Sequence, residues 1–146
     1  LHQKWQLTVA QGDTENILSL LDQEPGLLTR KDFVTGFTAL HWLAKLGHHD
    51  SLIKVISHAQ KKGYPVNVNI RTASSGLTPL HLAAQHGHEL LIKALVRDYG
   101  ADTSQRDYNG CTAWQYLRAD TSRELMELAG APEKGMTQVN SCNSNN

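Results

Sequence analysis

Eight histidines and two cysteines carry most of the reactive chemistry available to this 146-residue chain. His86-x-His88 is the tightest histidine pair, and His48 and His49 are adjacent. Such spacing could serve zinc, but a zinc site usually takes four ligands in paired spacing, and no cysteine lies within a few residues of a histidine. Cys111 follows His86 and His88 in the chain, yet nothing near it supplies the base or the positive environment that activates a thiol. The Gly-x-x-x-x-Gly-Lys loop that cradles phosphates is absent. Lys61, Lys62, Arg71, Arg97 and Arg106 could meet phosphates, but Lys plus Arg and Asp plus Glu both number 14. A net charge of zero provides no overall field toward nucleic acid. Catalytic, metal and cofactor residues are therefore expected to be absent, and no nucleic acid is expected as partner. The alternative reading is a nucleic-acid-associated or metal-binding module that uses the basic insertion loop or the histidines.

The histidines gain a different meaning once the segments around them are aligned. Gly36-Phe37-Thr38-Ala39-Leu40-His41-Trp42-Leu43-Ala44-Lys45-Leu46-Gly47-His48 repeats as Gly76-Leu77-Thr78-Pro79-Leu80-His81-Leu82-Ala83-Ala84-Gln85-His86-Gly87-His88. The offset is 76 − 36 = 40, and a third copy opens at Gly110-Cys111-Thr112-Ala113-Trp114, offset 110 − 76 = 34. A fainter copy ends at Gly12. A period of about 33 residues containing Thr-Pro-Leu-His-x-Ala resembles the ankyrin repeat. The longer step implies an insertion of about seven residues over that period, placed between His58 and Ser75, where Lys61-Lys62-Gly63-Tyr64-Pro65 interrupts the pattern. The resemblance implies an all-α fold: an ankyrin-repeat solenoid of helix-turn-helix units with protruding β-turn loops. Units are expected near 1–31, 32–70, 71–105 and 106–130, the first and last as degenerate caps. The polar run from 131 to 146, ending Ser141-Cys142-Asn143-Ser144-Asn145-Asn146, predicts disorder.

The elements that position the histidines follow from local chemistry. Thr38, Thr78 and Thr112 stand where a hydroxyl can cap a helix, and Pro79 sits where a missing N–H costs nothing. Leu40, Ala44, Leu80, Ala83 and Ala84 share one helical face. Gly47 and Gly87 can end that helix with positive φ. Second helices are predicted around Ile17–Leu21, Leu52–Ile56, Leu90–Val96 and Leu125–Ala129. His41 and His81 then fall where an imidazole can bond the turn and the adjacent unit. His48 and His88 follow the helix-ending glycine, near freed carbonyls. Trp42 and Trp114 are expected in the core.

A narrower likeness rests on Glu24-Pro25-Gly26-Leu27-Leu28, on Lys31-Asp32-Phe33-Val34-Thr35-Gly36-Phe37-Thr38-Ala39-Leu40-His41-Trp42, and on Tyr64-Pro65-Val66-Asn67, Arg71-Thr72 and Arg106-Asp107-Tyr108-x-Gly110. With these the chain, over roughly residues 1 to 130, resembles the ankyrin domain of the sosondowah family. That resemblance implies a C-terminal ankyrin domain on a longer, mostly disordered protein. It implies no enzymatic activity and supplies no named partner.

Function is therefore expected on the surface, as non-catalytic protein–protein interaction. The concave face and loop tips would present Phe33, Val34 and Phe37 in the first loop, Ser74 and Leu77 in the second, and Tyr108, Asn109 and Cys111 in the third. Lys45, Leu46, Gln85 and His86 would occupy exposed helix positions. Aromatic residues at loop tips suit interface hot spots. Asn67 and Asn69, in a strand-like run, are candidates for hydroxylation. Cys111 and Cys142 form no disulfide framework and fit a reducing interior, so the domain is expected inside the cell, in cytoplasm or nucleus. The opening Leu1-His2-Gln3-Lys4 is no signal peptide and lacks an initiator Met, which suggests an excised domain. No apolar stretch approaches the roughly 18 residues of a membrane span, so no membrane insertion is expected. A monomeric domain is expected.

Overall fold

Capping residues decide where each helix of this chain starts and stops. The computed structural model describes residues 2 to 132; the tail expected to be disordered lies outside them from 133 onward. Two helices open the chain, α1 (His2–Gln11) and α2 (Thr14–Gln23), followed by a 3-10 turn at Pro25–Thr29. Then come α3 (Ala39–Leu46), α4 (His49–Lys62), α5 (Pro79–Gln85) and α6 (Glu89–Lys93), which runs on into a π-helical turn at Ala94–Asp98. A 3-10 turn at Ala113–Tyr116 and α7 (Arg123–Leu128) complete it. The described residues form no strand.

The Thr-x-x-His pattern builds a capping box at α3 and α5. The Thr78 hydroxyl accepts the His81 N–H at 3.3 Å, while His81 Nδ1 accepts the Thr78 N–H at 3.1 Å. Two orphan backbone donors are thus satisfied reciprocally. Gly47 ends α3 at φ 79°, so that its own N–H reaches Ala44 O and the His48 N–H reaches Leu43 O. The Gly87–His88 pair repeats this on Ala84 and Ala83.

In the first row α1 packs on α3, α3 on α5, and α5 on the Ala113–Tyr116 turn. In the second row α2 packs on α4, and α6 packs on α7. Leu40, Leu43 and Ala44 meet Leu80, Ala83 and Ala84 in one continuous buried core. The alanines let the first-row helices approach closely. After the π turn, the Tyr99 hydroxyl donates to Ile53 O at 3.2 Å and lies 2.7 Å from Ser57 Oγ, tying this segment back to α4.

Several expectations change. The first unit is no remnant: α1 and α2 are ten residues each, and Trp5 and Val9 are buried. The last unit is reduced, its first helix to one 3-10 turn and its second to six residues. Trp42 and Trp114, expected in the core, are half-buried against its edge, and the Trp42 indole N–H donates to Asp32 Oδ2 at 3.1 Å, the polar partner an indole needs. The insertion does not loop out. It lengthens α4 to 14 residues, ending at Gly63 (φ 77°). Tyr64 then donates its hydroxyl to Asp22 Oδ1 at 2.6 Å, beside His58 Nε2 at 2.8 Å. The run at Asn67 and Asn69 is a turn, not a strand: Asn67 Oδ1 accepts the Asn69 N–H, and Asn69 Oδ1 accepts the Asp102 N–H at 2.8 Å from the next unit.

Each helix-ending glycine also makes room for the next unit. A Cβ on Gly47 would lie 2.7 Å from His88 Cε1, and one on Gly12 would lie 2.8 Å from His48 Nδ1. Gly47→Ala combines this clash with a positive φ, so it should destabilise by more than about 1 kcal/mol in urea unfolding. In a His88→Ala background the same change should cost less, since only the φ strain remains. Tyr64→Phe should speed amide exchange around residues 61–64 and leave α3 unchanged in hydrogen–deuterium exchange.

Candidate partner-binding face

Three β-turn fingers project between the helix pairs, and each is held by one polar residue at its base. Asp32 donates its N–H to Phe37 O, and its carboxylate accepts the N–H groups of Val34 (2.9 Å) and Thr35 (2.7 Å), the Thr35 hydroxyl and the Trp42 indole. Burial alone would raise the Asp32 carboxyl. The bonds from Thr35, Trp42 and Val34 outweigh it and hold the group below the usual carboxylate range. Thr72 does the same work in the second finger with a hydroxyl, accepting the Leu77 N–H at 3.0 Å. Asp107 anchors the third: it accepts the N–H groups of Asn109 and Cys111 and the hydroxyl of Tyr116. Burial, then that bond to Asp107, pushes the Tyr116 phenol up.

The fingers stack on one another. Ser74 Oγ donates to Thr35 O at 3.4 Å, and the Tyr108 N–H donates to Ser75 O at 2.9 Å. The histidines connect finger to helix as expected. His41 Nδ1 accepts the Thr38 N–H, so the ring proton sits on Nε2, which meets Ile70 O and Leu77 O of the next unit at 2.9 Å each. His81 repeats this, with Nε2 on Cys111 O at 2.9 Å. In the last unit Gln115 stands in the same place: its Oε1 accepts the Thr112 N–H at 2.8 Å. His48 and His88 reach the freed carbonyls of the preceding unit rather than their own, at Ala10 O (3.2 Å) and Lys45 O (3.0 Å).

The sequence-derived surface residues separate into two groups. Phe33 (102% exposed), Val34 (88%), Tyr108 (61%) and Leu46 (42%) are open to solvent. Asn109 and His86 are exposed as well, and Lys45 and Gln85 half so. Leu77 and Phe37 are half-buried against the core. Phe37 packs on Trp42 with ring centroids 5.0 Å apart, and Lys45 Nζ lies 5.4 Å from the Trp42 ring and 5.7 Å from the Phe37 ring. This aromatic pair capped by a cation was not visible as a cluster in the sequence. Its signal was the recurrence of two aromatics at one turn-and-helix junction. Leu7, on α1, is a further exposed apolar residue that sequence reasoning did not select, at 61%.

The residues weighed for other chemistry are dispersed. His86 and His88 stack at 6.1 Å, but among the described residues no three His, Cys, Asp or Glu are placed to hold a metal. Arg106 donates to Gly110 O at 2.6 Å, and Arg71 donates to the Gln105 side-chain oxygen at 2.8 Å once that amide is oriented to accept. Cys111, expected at the surface of the third loop, is buried, with its sulfur 3.9 Å from Asn109 O. Among the described residues, no helix is long and apolar enough to cross a membrane.

The repeated finger, helix pair and imidazole bridge match a family model, "Ankyrin repeats (3 copies)", over residues 5–116. The chain belongs to the ankyrin-repeat family. Ankyrin repeats are a protein-interaction module. Among curated relatives, it is similar to mouse ankyrin repeat domain-containing protein SOWAHD, 48% identical over 129 residues, covering 88% of this chain and 39% of that protein. Human SOWAHB is 44% identical over 129 residues, 88% of this chain and 16% of the relative. The sosondowah likeness is thereby borne out, and the chain spans less than half the length of these relatives. Among solved structures, a chain of the yeast complex of ribosomal protein Rps3 with its chaperone Yar1 matches at TM-score 0.70 and 23% identity, covering 88% of this chain and 87% of that one. At that identity the likeness speaks for the ankyrin fold alone.

The imidazole bridges make ankyrin stability depend on pH in a defined direction. Burial lowers His41 from 6.5 to about 4 and lowers His81 as well, against the raising effect of their carbonyl partners. The unfolded chain takes up a proton that the folded site refuses. The stability that His41 contributes is therefore full above pH 6.5, and falls as pH drops from there toward 4 by up to about 1.4 kcal/mol per pH unit, with His81 acting in the same direction. Urea midpoints measured across that range should show the fall. His41→Gln, copying Gln115, should flatten it while lowering stability at neutral pH.

Proposed function

We propose that this domain is a non-catalytic scaffold module that binds a protein partner along the concave face and finger tips. Four units bounded near residues 31, 70, 105 and 130 carry that surface. The observation that carries the reading is the Phe37–Trp42–Lys45 cluster beside solvent-open finger tips. The core does not require Tyr108, Asn109, Lys45, Leu46, Gln85 or His86 to be exposed, whereas an interface does. Phe33 and Val34 extend the same surface at the first finger. An aromatic pair already half-buried gives up little conformational entropy on binding, and a cation over it offers a charged rim. The longer polypeptides to which this chain is similar suit a docking module within a larger protein.

Quantitative affinity capture from cell extract, comparing the chain with a Lys45→Glu, Tyr108→Ala variant, tests this face. At least one partner should fall by tenfold or more, about 1.4 kcal/mol, with the circular dichroism spectrum unchanged. Identical partner sets for two equally folded proteins would remove the concave face from consideration.

A further inference from the structure

A net charge of zero hides an uneven distribution along the repeat. The three fingers, each with the helix or turn that follows it, span residues 31–48, 70–88 and 105–118. They carry five basic side chains: Lys31, Lys45, Arg71, Arg106 and Arg118. The acids in the same stretches are Asp32 and Asp107, two of the 14 in the chain. Both are buried, and their carboxylates are taken up by donors of their own fingers and first helices.

Three of the five bases share one register. Asp32, Thr72 and Asp107 each open a finger by donating an N–H to Phe37 O, Leu77 O and Cys111 O. The residues just before them, Lys31, Arg71 and Arg106, therefore hold equivalent places in successive units. Lys31 and Arg106 are exposed, and Arg71 is half so. The Arg71 guanidinium donates to the Gln105 side-chain oxygen at 2.8 Å, with that amide oriented to accept, and Arg106 Nη1 donates to Gly110 O at 2.6 Å. These partners are neutral. They fix each guanidinium in place and leave its charge uncompensated, with donors to spare for a ligand. The Lys and Arg ion pairs of the described residues join Arg30 to Glu24, Lys93 to Glu89, Arg118 to Asp120 and Arg123 to Glu127. None of them involves Lys31, Arg71 or Arg106. Gln105 links the second rung to the third, since it takes the Arg71 guanidinium and directly precedes Arg106.

The step between rungs selects a ligand geometry. Stacked units repeat at the distance of packed helices, roughly 8–10 Å. A polyproline II strand rises about 3.1 Å per residue with three residues per turn, so every third side chain returns to the same side about 9.3 Å further on. A β-strand alternates its faces and turns every third side chain away.

We propose that Lys31, Arg71 and Arg106 form a cation ladder that holds an acidic segment of a partner protein in polyproline II conformation, with a carboxylate at every third residue meeting successive rungs. This rests on the reading of the domain as a protein-binding module and gives the partner its chemistry. A guanidinium fork suits a carboxylate, which it can take bidentately. Nucleic acid suits the ladder less: a duplex strand carries a phosphate about every 3.4 Å, and one cation per unit would leave most of them unmatched.

The probe is a fluorescein-labelled peptide of four Glu-Ala-Pro triplets, titrated into the whole chain and read by anisotropy. It should bind more tightly than an isomer of the same composition whose four glutamates stand in one block. Arg71→Gln with Arg106→Gln should weaken binding about tenfold, the loss expected for two charge-assisted bonds at exposed sites. Arg71→Lys with Arg106→Lys keeps the charge and should recover most of that loss, which separates the ladder from the turn bonds the arginines also make. Lys61→Gln with Lys62→Gln removes as much charge from the exposed end of α4 and should leave binding unchanged. Equal or tighter binding of the block isomer, equal weakening by the Lys61, Lys62 variant, or no recovery with lysine overturns the proposal. A short single-stranded oligonucleotide that outbinds the peptide at the same salt, through the same arginines, would assign the ladder to nucleic acid and overturn it as well. If the peptide fails to bind while captured partners still depend on Lys45 and Tyr108, this inference fails and the protein-binding reading stands. If the peptide binds through the arginines and no captured partner depends on Lys45 or Tyr108, the ladder stands and the wider face falls.

Discussion

Most of this structure hangs on a neutral imidazole that does two jobs. At His41 and His81 one ring nitrogen accepts the N–H that opens its own helix, and the other donates to carbonyls of the following unit. Neither job can be dropped independently. The accepting nitrogen must be unprotonated to cap the helix, and that forces the proton onto the nitrogen facing the neighbour. Local helix initiation and long-range stacking are therefore one hydrogen-bonded unit, buried where water cannot substitute for either partner. In a solenoid each unit meets only its neighbours, so such repeat-to-repeat links couple one unit to the next. The final unit illustrates the logic from the other side. Gln115 keeps the capping function and accepts from Thr112, and no further unit among the described residues calls for a reach across.

A second constraint is steric. Glycines recur in the chain where one unit's backbone meets the next unit's side chain: Gly12 with His48, Gly47 with His88, Gly36 with Ala73, Gly76 with Tyr108. Positive φ explains the residue type locally, and the close approach explains why no other small residue would do. The helix-ending glycine and the histidine after it thus belong to a relay. The glycine turns the chain, the next unit's histidine covers it, and that histidine ties down a carbonyl the helix end had left free.

The insertion in the second unit shows how a departure from the period is absorbed. The added residues lengthen α4, and a left-handed glycine stops it. Tyr64 and His58 then converge on Asp22, whose carboxyl is held below the usual range by those two bonds, Tyr64 first. A basic segment that looks in sequence like a free loop is thereby anchored at its far end. Lys61 and Lys62 stay exposed on it, while Arg71 and Arg106 bond neighbouring turn groups.

What the amino-acid sequence determined by itself is the repeat: its period, the helix starts at threonine, the stops at glycine, and the double role of His41 and His81. These are written in short-range spacing, where backbone geometry and capping leave few alternatives. Only the tertiary structure decided which copies of a repeated position are covered. Trp42 and Leu82 occupy equivalent places, yet one is half-buried, with its indole N–H on Asp32, and the other fully buried. Ala73 and Tyr108 are each set against a glycine of the finger before them, Gly36 and Gly76. Lys45 reads as a solvated helix charge until Phe37 and Trp42 are seen to lie beneath it. Exposure in a stack is set by the neighbouring unit, tens of residues away in sequence, and no local pattern encodes where the stack leaves a face open.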